Sequence, residues 1–314
     1  MSPRPSHRHT GGQRARLHGT FKGHVPSTAM TYRSRMGLAT SWVAWAGGAP
    51  APWHRAALIE TYALMEEGRF EDAEARARAL VTARRSRGGR DRRPGTVWYA
   101  AYAAALAARA HGRQEPSVLA EFDALIAEAE RTYDFHHGLL LPARLNRAWV
   151  LIDEARPAEA EAEARDVLRA LARRAHPAED LQRELSALIC LGHALCEQGH
   201  HEESEKIARA NLPRAGEDHL VRSLRILLVR SLSGLGRHEE ALAQSAEAQA
   251  LPEPPPYAAG HVEFRRATAL HGLGRADEAR AEAGRALAAC ERYLHPTHPR
   301  ITAIRTLLSR ISPR

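Results

Sequence analysis

Four side chains in the middle of the chain invite a metal. Cys190, His193, Cys196 and His200 are spaced 3, 3 and 4 residues apart, and on one unbroken helix they would share a face about 120° wide. Thiolates and imidazoles in that number are zinc ligands. Two features argue against it: Gly199 is expected to end the helix before His200, and a cysteine on a helix commonly packs as a small hydrophobe. No metal is therefore expected. The histidines of His136-His137, His200-His201 and His295/His298 fall in stretches that read as loops. Catalytic patterns are missing from the sequence: it has no G-x-x-x-x-G-K-[ST], no H-E-x-x-H, no C-x-x-C, no G-x-S-x-G, and no G-x-G-x-x-G after a strand-like run. With no convergent acid, base or nucleophile, the chain is expected to be no enzyme and to need no cofactor.

The elements that position these side chains are helical. Of 314 residues, 44% are hydrophobic but only 5% aromatic, so Ala and Leu, both good helix formers, carry much of the apolar content. No uninterrupted apolar run reaches 18 residues, which excludes a transmembrane helix. Three cysteines cannot build a disulfide framework and suit a reducing compartment, so the expected location is cytoplasmic.

Charge is unevenly spread. Lys+Arg 45 against Asp+Glu 37 gives +8. Residues 1–59 contain eight basic residues and no acidic one, and Arg84–Arg93 adds six Arg against one Asp. The rest of the chain is net acidic. Only Lys22 and Lys206 are lysines, an Arg bias like that of a high-GC bacterium. Residues 1–37, rich in Arg, His, Gly, Ser and Pro, are expected to be a disordered basic tail. Residues 38–52 are expected to form a short apolar linker in which Trp42, Val43 and Trp45 cover the first of the helices, rather than the core of a secretion signal. Met30 and Met36 stand as alternative starts.

From residue 53 onward one phrase recurs: GRFEDA from Gly68, GRQEPS from Gly112, ARPAEA from Ala155, GHHEES from Gly199, GRHEEA from Gly236 and GRADEA from Gly274. Apolar residues at helical spacing flank each copy, as in Leu220, Leu224, Leu227, Leu228, Leu232 and Leu235. The Gly ends one helix in the left-handed conformation. The acids sit in the first turn of the next, where the helix dipole favours them. The final small residue lets the two helices approach. One such hairpin cannot bury its stripe alone, so the copies must stack. Breaks at Arg84–Pro94, Asp134–Gly138, His176–Ala178, Pro213–Gly216 and Pro252–Pro256 separate them. Thr302, Ile304, Leu307, Leu308 and Ile311 form a closing amphipathic helix.

These residues resemble tetratricopeptide repeats. Leu188, Leu191-Gly192, Leu195, Gly199, Ser204 and Ala208 match the family pattern best, followed by Leu270, Gly274, Ala279, Ala283 and Ala286. The stretch Glu291–Pro299 resembles the longer, kinesin-light-chain-like variety. The resemblance covers residues 53–314 and implies an all-α, right-handed superhelical solenoid of about six helix-turn-helix repeats with a C-terminal capping helix. The copies stand 44, 43, 44, 37 and 38 residues apart, more than the family's usual spacing of about 34, which implies longer helices or loops.

The resemblance also implies a concave groove lined by the first helix of each repeat. Carried over position by position, it places Arg55, Tyr62, Tyr99, Tyr102, Arg109, Trp149, Asp153, His193, Glu197, Arg230, Phe264 and His271 there. Aromatics and Arg dominate interface energetics, so the expected partner is an extended or helical peptide, or a protein segment, with some acidic character. A second reading gives the Arg-rich tail to nucleic acid with the repeats as a sensor. It ranks lower because residues 1–52 contain no helix-turn-helix pattern. Self-association through the end helices stays open.

Overall fold

The computed structural model describes residues 52–85, 94–113, 117–132, 140–173 and 177–311. The tail, residues 1–37, and nearly all of 38–52 lie outside the described residues, as do 86–93 and 134–138. Thirteen α-helices follow one another, with no strand among the described residues. They are α1 (Pro52–Glu66), α2 (Phe70–Arg85), α3 (Pro94–His111), α4 (Val118–Thr132), α5 (Leu140–Asp153), α6 (Pro157–Ala172), α7 (Pro177–Glu197), α8 (His201–Asn211), α9 (Asp218–Gly234), α10 (His238–Gln249), α11 (His261–Gly272), α12 (Ala276–Glu291) and α13 (Pro299–Ile311). Five of them begin with proline, whose missing N–H is no loss in a first turn. Among the described residues no helix is long and apolar enough to cross a membrane.

The recurring phrase makes six similar corners. Gly68, Gly112, Gly199, Gly236 and Gly274 all have φ between +73° and +83°, and Ala155 takes the same turn at +58°. At each corner the N–H of the next residue reaches back to close the preceding helix. The pairs are Arg69 to Leu64 O, Arg113 to Ala108 O, Arg156 to Leu151 O, His200 to Leu195 O, Arg237 to Leu232 O and Arg275 to Leu270 O, at 2.8–3.1 Å. The small residue ending the phrase is fully buried in five copies: Ala73, Ala160, Ser204, Ala241 and Ala279. In the second copy Ser117 is exposed instead, because α4 starts only at Val118. There its Oγ accepts from the N–H of Ala120 at 3.3 Å and caps the helix,.

Six hairpins result: α1–α2, α3–α4, α5–α6, α7–α8, α9–α10 and α11–α12. Their first helices also pack on one another, as α7 does on α9 and α9 on α11, so the first helices line the inside of the curve. Gly192 belongs to this contact: a side chain there would overlap Leu227 of α9. The assembly is a right-handed superhelical solenoid of six helix-turn-helix repeats. The long repeat spacing is shared between long helices, notably the 21 residues of α7, and the eight and seven residues that separate α2 from α3 and α4 from α5. Capping helix α13 seals the end with Ile301, Ile304, Leu307 and Ile311. Ile301 takes the inward position the sequence suggested for Thr302, which is exposed.

The superhelix also closes on itself. The connection between α12 and α13 docks on the corners of the first two hairpins. The N–H of His295 donates to the carbonyl of His111 at 2.8 Å, and their rings meet edge-on at 5.2 Å. His298 lies over Gly112, and Tyr293 and Pro256 lie over Gly68. A Cβ at Gly112 would come within 2.5, 2.8 and 2.9 Å of His298 Cδ2, Cγ and Cβ.

Candidate functional site

Closure turns the inner face into a narrow cleft, lined by side chains from successive first helices. They form a continuous run. The Arg109 guanidinium of α3 lies 5.7 Å from the Trp149 ring centroid on α5. Trp149 meets the His193 ring of α7 at 5.1 Å. Arg230 of α9 donates to His193 Nδ1 at 3.2 Å and pairs with Glu197; because Arg carries only donors, His193 Nδ1 must be the acceptor. His193 then meets His261 of α11 at 6.1 Å. Trp149, His193 and Arg230 each stand six residues before the corner of their hairpin, so they recur at one inner position, and Arg109 and His261 reach them from other positions on their helices.

Electrostatics set this face apart. His193 and His261 are held well below the ordinary imidazole range, first by burial and then by Arg230, Arg265 and Arg300, so both are neutral at pH 7. The Asp153 carboxyl is pushed up by the surrounding protein, with Arg109 and Arg300 opposing. The same side chain is exposed to solvent. Both observations hold for a carboxyl that neighbouring helices crowd without sealing it from solvent. The guanidinium groups of Arg109, Arg230, Arg265 and Arg300 outnumber the carboxylates of Asp153 and Glu197. Arg300 Nη1 is held by the carbonyls of Tyr257 and Ala259 at 3.2 and 2.9 Å.

Of the positions implied by the resemblance, Arg109, Trp149, His193, Glu197 and Arg230 come together in this run, with Asp153 beside Arg109. Tyr62, Tyr99, Tyr102 and Phe264 instead lie buried in the interhelical core. The reason is visible in hairpin two. Helix α3 is lined with Ala103, Ala104, Ala105, Ala107 and Ala108, and small residues leave room that only rings can fill. Trp98 stacks on Tyr102 at 5.3 Å, and the Tyr102 hydroxyl accepts from Asn146 at 2.9 Å. His271 stands at the C-terminal turn of α11, outside the run of contacts. Arg55 lies on α1, but its side chain is outside the described residues. Sequence reasoning missed Arg265 and Arg300. Arg265 follows Phe264 on α11, and Arg300 lies in the capping segment, where no repeat register assigns an inner position.

The four residues weighed as zinc ligands do not converge. Cys196 points between helices, where its Sγ donates to Ser204 Oγ at 3.2 Å and Ser231 Oγ lies 3.5 Å away. His193 points into the cleft, and His200 sits past the Gly199 corner at the start of α8. Among the described residues no cluster of metal-ligating side chains is present. A shallow depression at the fourth corner, lined by Gly199, His200, Lys206 and Leu235, lies apart from the cleft and gathers none of its side chains.

No family model matches the chain, and no curated protein matches its sequence. Among solved structures it is similar to NprR in complex with its cognate peptide NprX. The identity is 13%, covering 89% of this chain and 79% of that one, with a TM-score of 0.62. A tetratricopeptide repeat protein from Parabacteroides merdae aligns at 13% identity over 82% of this chain and 98% of its own, with a TM-score of 0.42. At such identity the likeness to NprR is one of fold.

Proposed function

We propose that this chain is a non-catalytic interaction module that holds an extended peptide, or a short segment of a protein partner, along the inner face of its solenoid. The observation that carries the reading is the unbroken run Arg109, Trp149, His193 and Arg230, with Glu197 and Asp153 beside it. An aromatic flanked by guanidinium groups in a partly desolvated cleft is the composition of an interface hot spot. Backbone amides of an extended guest would find an acceptor in Glu197, whose side chain is exposed. The excess of Arg favours acidic side chains. The similarity in fold to NprR, solved in complex with its cognate peptide NprX, supports the same reading.

The test is selection of a displayed random peptide library on the full chain, followed by affinity measurement of the enriched peptides. Trp149→Ala or Arg230→Ala is expected to weaken them by about 30-fold, the effect of losing a hot spot of roughly 2 kcal/mol, with helical content and melting kept. If enriched peptides bind both variants as tightly as the unmutated chain, the inner face is not the binding site.

A further inference from the structure

We propose that the seam closing the superhelix is an acid-released latch: protonation of its histidines, His298 above all, parts the α12–α13 connection from the first two hairpins and widens the cleft. Such a latch acts on the shape of the chain and operates whatever the inner face holds. The seam is built around imidazoles that serve as hydrogen-bond acceptors. His298 Nδ1 accepts from the backbone N–H of Arg300 at 3.0 Å. His295 Nδ1 accepts from the backbone N–H of Thr297 at 3.3 Å and lies 2.7 Å from the hydroxyl of the same residue. A backbone N–H can only donate, so both Nδ1 atoms carry a lone pair and both rings are neutral. An imidazolium has two donors and no acceptor. Protonation therefore removes the bonds that shape the turn from His295 to Arg300. That turn holds the seam: the His295 N–H reaches the His111 carbonyl, and the His298 ring covers Gly112 more closely than any side chain there would allow.

Charge acts in the same direction. The groups facing the seam are Glu71 and Glu74 of α2, Arg109 and Arg113 at the end of α3, Arg292 over the Tyr293 ring, and Arg300 at the start of α13. His298 is pushed down to about 3 by burial first, then by Arg300, Arg109 and His111. His111 is held below the ordinary imidazole range by burial first; Glu71 and Glu74 favour its charged form, and His295 and Arg113 oppose it. Glu71 Oε1 stands 4.0 Å from His111 Nε2 on an exposed side chain, and Glu74 is already paired with Arg78 and Arg113. A proton added at His298 thus meets Arg109 and Arg300, whereas a parted seam gives the charged ring to water. The closed form binds fewer protons than the parted one between about pH 3 and 6.5,. Closure is complete above that window and is lost as the pH falls through it. With His298 at about 6.5 once released, the parted share rises about 30-fold from pH 7.5 to pH 5.

Hydrogen exchange on the full chain, without any guest, tests the latch. The His295 amide reports the seam, and the Arg237 amide, bonded to Leu232 O at 2.8 Å, reports a corner outside it. From pH 7.5 to pH 5 the protection factor of His295 is expected to fall about 30-fold relative to that of Arg237. Helical content is expected to stay constant while small-angle scattering shows a larger radius of gyration. His298→Gln keeps an acceptor that does not titrate, and it is expected to remove most of the fall while leaving the seam closed at pH 7.5. The proposal is overturned if His295 keeps its protection at pH 5, if Arg237 loses protection in parallel, or if His298→Gln parts with acid as the unmutated chain does. The first two outcomes are read on the unmutated chain, so they decide the matter even where the variant does not fold.

Discussion

Two glycines with the same backbone conformation measure the closure of the superhelix. Gly199 and Gly112 turn equivalent corners at φ +81° and +83°. A methyl group at Gly199 meets nothing within 4 Å, so Gly199→Ala carries only the backbone penalty. The left-handed conformation is about 1–2 kcal/mol worse for an L-residue than for Gly, and the stiffer unfolded chain returns about 0.4–1 kcal/mol. The expected loss is about 1 kcal/mol. Gly112→Ala incurs the same loss and more, because its methyl would sit 2.5–2.9 Å from the Cδ2, Cγ and Cβ of His298. Those atoms include the root of the side chain, so the connection itself must shift. Overpacking of this kind adds about 1–3 kcal/mol. Urea unfolding is the assay, and the Gly112→Ala midpoint is expected to lie below that of Gly199→Ala by at least about 1 kcal/mol equivalent. Hydrogen exchange gives a local readout, since the His295 amide bonded to His111 should lose protection only in Gly112→Ala. Equal midpoints with unchanged exchange at His295 would refute the closure and with it the narrow cleft.

Ala155→Gly is expected to stabilise the protein for the converse reason, because Ala155 holds a left-handed turn at φ +58°. The gain expected is about 0.5–1 kcal/mol, read as a rise of roughly 2 °C in melting, and a fall would show that the corner needs its methyl group. Stability should also decline with acidification. His298 is pushed down to about 3, by burial first and then by Arg300, Arg109 and His111, while His193 and His261 are likewise depressed. The unfolded chain, with imidazoles near 6.5, therefore binds more protons between about pH 3 and 6.5. The stabilisation is complete above pH 6.5 and is lost as the pH falls through that window. Comparing urea midpoints at pH 7.5 and 5 checks this, and His298→Gln should narrow the difference.

Much of the architecture is local and was legible in the sequence. Each corner is encoded by its own six residues. Glycine closes the helix, acids complement the dipole of the next, and a small residue admits its neighbour. The second copy, GRQEPS, keeps its glycine corner at Gly112. One part of the phrase went unread: the residue after the glycine is often Arg, and Arg69, Arg156, Arg237 and Arg275 each pair with the acid three residues on, Asp72, Glu159, Glu240 and Glu278. The inner positions of hairpins three to five were also legible, since a regular register carries Trp149, His193, Glu197 and Arg230 to one face.

What the sequence alone could not decide depends on summed rotations. Each hairpin turns slightly relative to the last, and only the total brings His295 and His298 of the capping connection against His111 and Gly112 of the second hairpin. No local phrase encodes a sum, so the closure, the cleft and the neighbourhood of Arg300 emerge only in three dimensions. Side-chain volume is the other tertiary decision. Tyr62, Tyr99 and Tyr102 stand at the inner register by count, yet the alanines of α3 leave a space that these rings fill. The periodic spacing of small and apolar residues determined the helices and their stacking, and the curvature of the stack determined which charges face one another.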